Sequence, residues 1–129
     1  MKRVGFFGSA EEIAASAATA PHYWEPLVTN YLRQGAVVMA SSSWVDDRLD
    51  EAVKKICQYS VRTDGEWIWP ADLAYYVSTY HVNLPGEFLD HIASREGKVA
   101  NLDEKAVESI ADWLMVDLQV SEPGVKEAS

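Results

Sequence analysis

The chain is poor in the residues that usually declare a chemistry. Among 129 residues it has one cysteine, Cys57, and three histidines. A single cysteine excludes an internal disulfide and any multi-thiolate zinc site within one chain. Cys57 follows Ile56 in an apolar setting with no activating partner beside it, and reads as a small buried hydrophobe. Gly5 and Gly8 lack the further spacing of a dinucleotide loop, and Ser41–Ser43 lack the glycines of a nucleophile elbow. Asp46, Asp47, Asp50 and Glu51 lack the mid-loop glycine of a calcium loop and read as a solvated turn and helix start. No metal, no cofactor and no enzymatic reaction is therefore expected.

Long apolar runs are missing as well, so no membrane span is expected. The opening stretch has Lys2, Arg3 and a small-residue run ending at Ala20, but Glu11 and Glu12 stand where a signal peptide needs its apolar core. The expected location is the cytoplasm. The length suits one domain over residues 1–120, followed by a disordered tail at 121–129 that holds Pro, Gly and mixed charge.

What the chain does have is aromatic bulk and acid. Five tryptophans and six tyrosines supply large anchors for a core or a surface. The net charge is −9, and it is lopsided: residues 1–64 carry −1 and residues 65–129 carry −8. Such a field repels nucleic acid and anionic membranes and attracts basic proteins.

Local patterns predict an α+β fold, about five helices packed on a small, mainly antiparallel sheet. Ser9 and Glu12 form a capping-box pattern ahead of a short helix that runs to Ala18. Helical spacing of Tyr23, Trp24, Leu27, Val28, Tyr31 and Leu32 predicts a helix over 22–33. Residues 35–40 read as a buried strand, and the acids from Asp46 onward as the start of a short helix reaching Lys55. A hairpin is expected at 59–69, with Asp64-Gly65 as a two-residue turn. That turn pairs Arg62 with Trp67 and Val61 with Ile68. It sets Arg62, Trp67 and Trp69 on one face and Val61 and Ile68 on the other. Pro70 and Pro85 each open a helix, the first over 71–81 and the second ending at Gly97. A last helix is expected over 104–117, with Val107, Ile110 and Leu114 inward.

On that last helix Glu104, Glu108 and Asp112 recur every four residues and form one acidic stripe. Like charges at this spacing cost roughly 0.2–0.5 kcal/mol per pair. A plain solvated face tolerates that cost; a face that binds a basic partner makes use of it. Glu87 and Asp90 form a smaller acidic pair on the preceding helix. Arg62 and an exposed Trp67 near the turn would supply a cation–π contact and an interface anchor. Glu87 and His91 also stand four apart, a spacing that fits two ligands of a metal, but no third ligand accompanies them and a surface pair is the plainer reading.

The run DGEWIWPADLAYYV followed by LPGEFLDHI resembles a block found in small, acidic bacterial immunity proteins of polymorphic and contact-dependent toxin systems. The resemblance implies a cytoplasmic, non-enzymatic inhibitor that binds a toxin domain, often a basic nuclease. In that reading Glu104, Glu108, Asp112, Asp90 and Glu87 are charged contacts, with Trp67 and Arg62 beside them. Two other readings stand next to it. One is a small enzyme or ligand-binding domain with a pocket lined by Trp67, Trp69, Tyr75, Tyr76 and His81. The other is a regulatory homodimer built on the aromatic hairpin face.

Overall fold

Trp67 and Trp69 sit two apart on a strand, so they project from the same side of the sheet, and one layer of helices must cover both. In the computed structural model, which describes residues 1–121 and side chains as far as Asp117, that is how the chain is arranged. The elements are β1 (Lys2–Arg3), α1 (Ala10–Ser16), α2 (Glu25–Gln34), β2 (Ala36–Val45), β3 (Cys57–Thr63), β4 (Trp67–Pro70), α3 (Leu73–Tyr80), α4 (Gly86–Ser94) and α5 (Glu104–Ser121). They make an α+β fold whose sheet has the order β1-β4-β3-β2, antiparallel except for the β1–β4 pair.

Two cores lie on the two faces of this sheet. Trp67 and Trp69 join Tyr31 and Leu32 of α2, Leu73 and Tyr76 of α3, and Phe88 and Ile92 of α4. Val61 and Ile68 point the other way and meet Leu114, with Ile110 and Trp113 alongside. The sheet is therefore covered on both sides, which accounts for a hairpin with no polar face. Arg3 strengthens the second layer through an ion pair with Asp117 and a position over the Trp113 ring.

The hairpin differs from its expected register by two residues: Arg62 pairs with Trp69, Thr63 with Ile68 and Val61 with Pro70. Asp64 is the cause. Its Oδ1 accepts the backbone N–H groups of Glu66 at 2.9 Å and Trp67 at 2.8 Å, which widens the connection to residues 64–67. Gly65 supplies the positive φ of 102° that this loop requires. A shift of two preserves every side assignment, because strand side chains alternate with period two.

Four other expectations need correction. The strand expected at 35–40 is β2, which runs on to Val45 and is not buried: none of its residues is buried and Val37 is exposed. Residues 46–55 form no helix; Asp46, Asp47 and Asp50 each accept backbone N–H groups of the loop instead, at Lys55, at Leu49 and Asp50, and at Ala52. Short acidic side chains compete well for local amides in this way. Pro70 ends β4 rather than opening α3, while Pro85 stands as the N-cap of α4. Helix α5 runs on to Ser121, so the expected tail begins inside it; residues 122–129 lie outside the described residues. Among the described residues no helix is long and apolar enough to cross a membrane.

Candidate functional site

The acidic stripe survives folding as a surface. Leu114 of α5 is buried, and Ile110 and Trp113 pack beside it, which turns Glu104, Glu108 and Asp112 outward; all three are exposed. No ion pair engages these three among the described residues, whereas Glu87 pairs with Lys2, Glu66 with Arg95 and Asp46 with Lys54. Met115 and Val116 are exposed at 52% and 59%. Met115 lies three residues past Asp112 and seven past Glu108, so it belongs to the same helical face. The outer face of α5 thus joins three carboxylates to an apolar contact, a combination that composition alone did not single out.

The remaining candidates separate from that face. Helix α4 packs on the tryptophan side of the sheet, so Glu87 and Asp90 are not brought together with the α5 stripe. Asp90 is exposed, and Glu87 is held by Lys2. Trp67 is only 5% exposed and cannot serve as a surface anchor, because Phe88 packs against its ring at 4.8 Å between centroids. Arg62 does not reach over Trp67; its Nη1 donates to the carbonyls of Arg33 at 3.2 Å and Gly35 at 2.8 Å, closing the end of α2. Both residues specify the fold. The aromatic pocket is not formed either, since Trp67, Trp69 and Tyr76 are core residues. The same helices cover the aromatic hairpin face and remove it as a dimer surface. Glu87 and His91 diverge to different partners, and among the described residues no group of three or more His, Cys, Asp or Glu could hold a metal.

Three carboxylates sit inside the fold, each with aromatic or histidine partners. Asp64 Oδ2 accepts the Tyr31 hydroxyl at 2.5 Å and lies 2.7 Å from His91 Nε2. Burial alone would raise its pKa, but hydrogen bonds from Tyr31, the Trp67 and Glu66 amides and His91 outweigh it and hold the carboxyl below the usual range. The same burial, with the neighbouring carboxylate, drives the Tyr31 phenol well above its ordinary value. Asp47 follows the same logic. Its Oδ2 accepts the hydroxyls of Tyr75 at 2.6 Å and Tyr80 at 2.7 Å, and its Oδ1 accepts two loop amides. Burial again opposes these bonds and loses, so the carboxyl is lowered; Tyr75 is pushed up to about 12 and Tyr80 further. Glu25 accepts the His22 amide at 2.7 Å and lies 3.0 Å from His81 Nδ1, in a cluster where His22 stacks on Trp24. All three act on loops and helix ends, tying them to the core. Cys57 is half-buried, and burial raises its thiol pKa, with Asp72 adding to the effect, so the thiol form is favoured.

A largely apolar concavity lies elsewhere, a cleft of about 460 Å³ between the 5–7 loop and the 45–48 segment, with Tyr59, Pro70 and Asp72 completing its wall. Gly5 makes this wall possible: its φ is +82°, and a Cβ there would stand 2.6 Å from Leu73 Cδ2. Comparison of the chain with protein-family models, curated proteins and solved structures finds no match.

Proposed function

We propose that this chain is a protein-binding inhibitor, an immunity protein that neutralises a cationic toxin domain such as a nuclease. The observation that carries the reading is the outer face of α5, where Glu104, Glu108 and Asp112 are exposed and outside every ion pair of the described residues. From Glu104 to Asp112 the stripe extends roughly 12 Å along the helix, at about 1.5 Å per residue. A row of negative charge of that length can occupy a groove shaped for a phosphate backbone, and it steers a basic partner during encounter. Met115 and Val116 add apolar area that holds the complex once formed. Asp90 lies on another layer and contributes to the field rather than to the contact.

The test is co-expression in a bacterial host with the product of the adjoining reading frame of the source genome. The reading expects that product to arrest growth alone, to be neutralised by this chain, and to co-purify with it. Glu104→Lys/Glu108→Lys/Asp112→Lys should abolish the neutralisation while the variant remains folded by circular dichroism. Neutralisation by the triple variant at wild-type level would remove α5 from the interface. A harmless neighbour that forms no complex would remove the reading itself.

A further inference from the structure

The cleft beside Asp72 is separate from the acidic face of α5 and does not depend on that reading. Its walls are largely apolar, formed by Phe6, Phe7, Tyr59 and Val45, and its floor and rim carry Asp46, Asp47, Asp72 and Arg48. These four charges are not equivalent. Asp47 uses both oxygens on Tyr75, Tyr80 and the Leu49 and Asp50 amides. Asp46 accepts the Lys55 amide and faces Lys54 at 3.8 Å. Arg48 spends Nη1 on the Phe7 carbonyl at 3.0 Å, while its backbone N–H donates to the Tyr76 hydroxyl. Asp72 precedes α3 without capping it through its side chain. Burial raises the Asp72 pKa, opposed by the charge of Arg48 and by a hydrogen bond from its own backbone amide, and the half-buried carboxylate stands at the edge of the aromatic cleft.

We propose that this cleft binds a small organic cation with an apolar body, an aryl- or alkylammonium, with Asp72 as the counter-ion and Phe6, Phe7 and Tyr59 as its aromatic wall. The chemistry selects the class. Aromatic faces attract a cation and shed water from its apolar part, and one carboxylate inside an apolar concavity gains from a charged hydrogen-bond donor. Carboxylates outnumber the single guanidinium, which disfavours an anion. The rim is also fixed before binding: Arg48 ties the 5–7 loop to the 46–56 loop, and Asp47 ties the latter to α3. A preformed cleft loses little conformational freedom when a ligand enters.

The experiment titrates the full chain with phenethylammonium chloride and, separately, with 2-phenylethanol, its neutral counterpart. Backbone amide shifts of Phe6, Phe7 and Asp72 report occupancy. The ammonium compound should bind at this cleft at least roughly tenfold more tightly than the alcohol, the scale of one charged hydrogen bond. Asp72→Asn should reduce the ammonium affinity to that of the alcohol and leave the alcohol affinity unchanged, which also shows that the variant is folded. Equal affinities in the wild-type protein, shifts confined to other residues, or no binding would overturn the proposal. So would an Asp72→Asn variant that still prefers the ammonium compound.

Discussion

Asp64 is bonded on both oxygens, to two backbone amides, a tyrosine hydroxyl and a histidine ring nitrogen. An acceptor buried so completely cannot lose a partner to water, so each partner is costly to remove. Tyr31→Phe should cost roughly 1–3 kcal/mol, the usual consequence of leaving a buried group short of a bond. Asp64→Ala should cost about 3–5 kcal/mol, because it strands two amides and a histidine at once. Urea unfolding measures both; a Tyr31→Phe midpoint equal to wild type would contradict the role given to this carboxylate. The residue also marks a limit of sequence reading. Asp-Gly announced a turn correctly, and the glycine does take positive φ. What the dipeptide could not announce was that the aspartate side chain would accept the amides of Glu66 and Trp67 and move the register by two. Trp67 was legible as a hairpin residue and as a neighbour of Trp69. Its burial depended on Phe88, a residue twenty-one positions away whose arrival no local pattern records.

At the scale of elements, helices with a clear apolar repeat were readable, and the two sides of the hairpin separated correctly into two cores. The 46–56 connection was not, because four acids in six residues fit a helix start as well as a loop that satisfies its own amides. The two-residue strand β1 leaves no sequence signal; its place is set by pairing with β4. The acidic face of α5 was legible from spacing alone, whereas Met115 and Val116 emerged only with the orientation of the helix. That orientation rests on Leu114. Leu114→Ala should destabilise the protein by roughly 2–5 kcal/mol through the cavity it leaves. Glu108→Gln with Asp112→Asn should do the reverse, by about 0.4–1 kcal/mol, since it removes both like-charge pairs of the stripe, Glu104/Glu108 and Glu108/Asp112. Thermal unfolding of the two variants should therefore move in opposite directions, and a lowered midpoint in the second would mean that the acids stabilise the helix.

For the whole molecule, the internal carboxylates and phenols define a pH window. Asp47 and Asp64 are lowered in the folded state, so the unfolded chain takes up their protons first as pH drops below about 4. Their contribution is complete above that pH and is lost as pH falls through the folded values. Asp72 is raised and works weakly in the opposite sense. Tyr31, Tyr75 and Tyr80 are raised, so the unfolded chain releases their protons first above about pH 10, and stability falls again. The thermal midpoint should be broad and flat between these limits. Asp64→Asn and Asp47→Asn should each make the acid limb shallower; an unchanged limb in both would contradict the assignment.

Asp47, Asp64 and Glu25 are committed to the fold, whereas the α5 stripe of Glu104, Glu108 and Asp112 is exposed. The most direct test of the proposed inhibitor function is the affinity of this chain for the product of the adjoining reading frame, by calorimetry over a range of NaCl concentrations. Wild type should bind more weakly as salt rises, and Glu104→Lys/Glu108→Lys/Asp112→Lys should bind far more weakly with most of that salt dependence gone. Equal affinity and equal salt dependence in the two proteins would contradict the assignment of the α5 face.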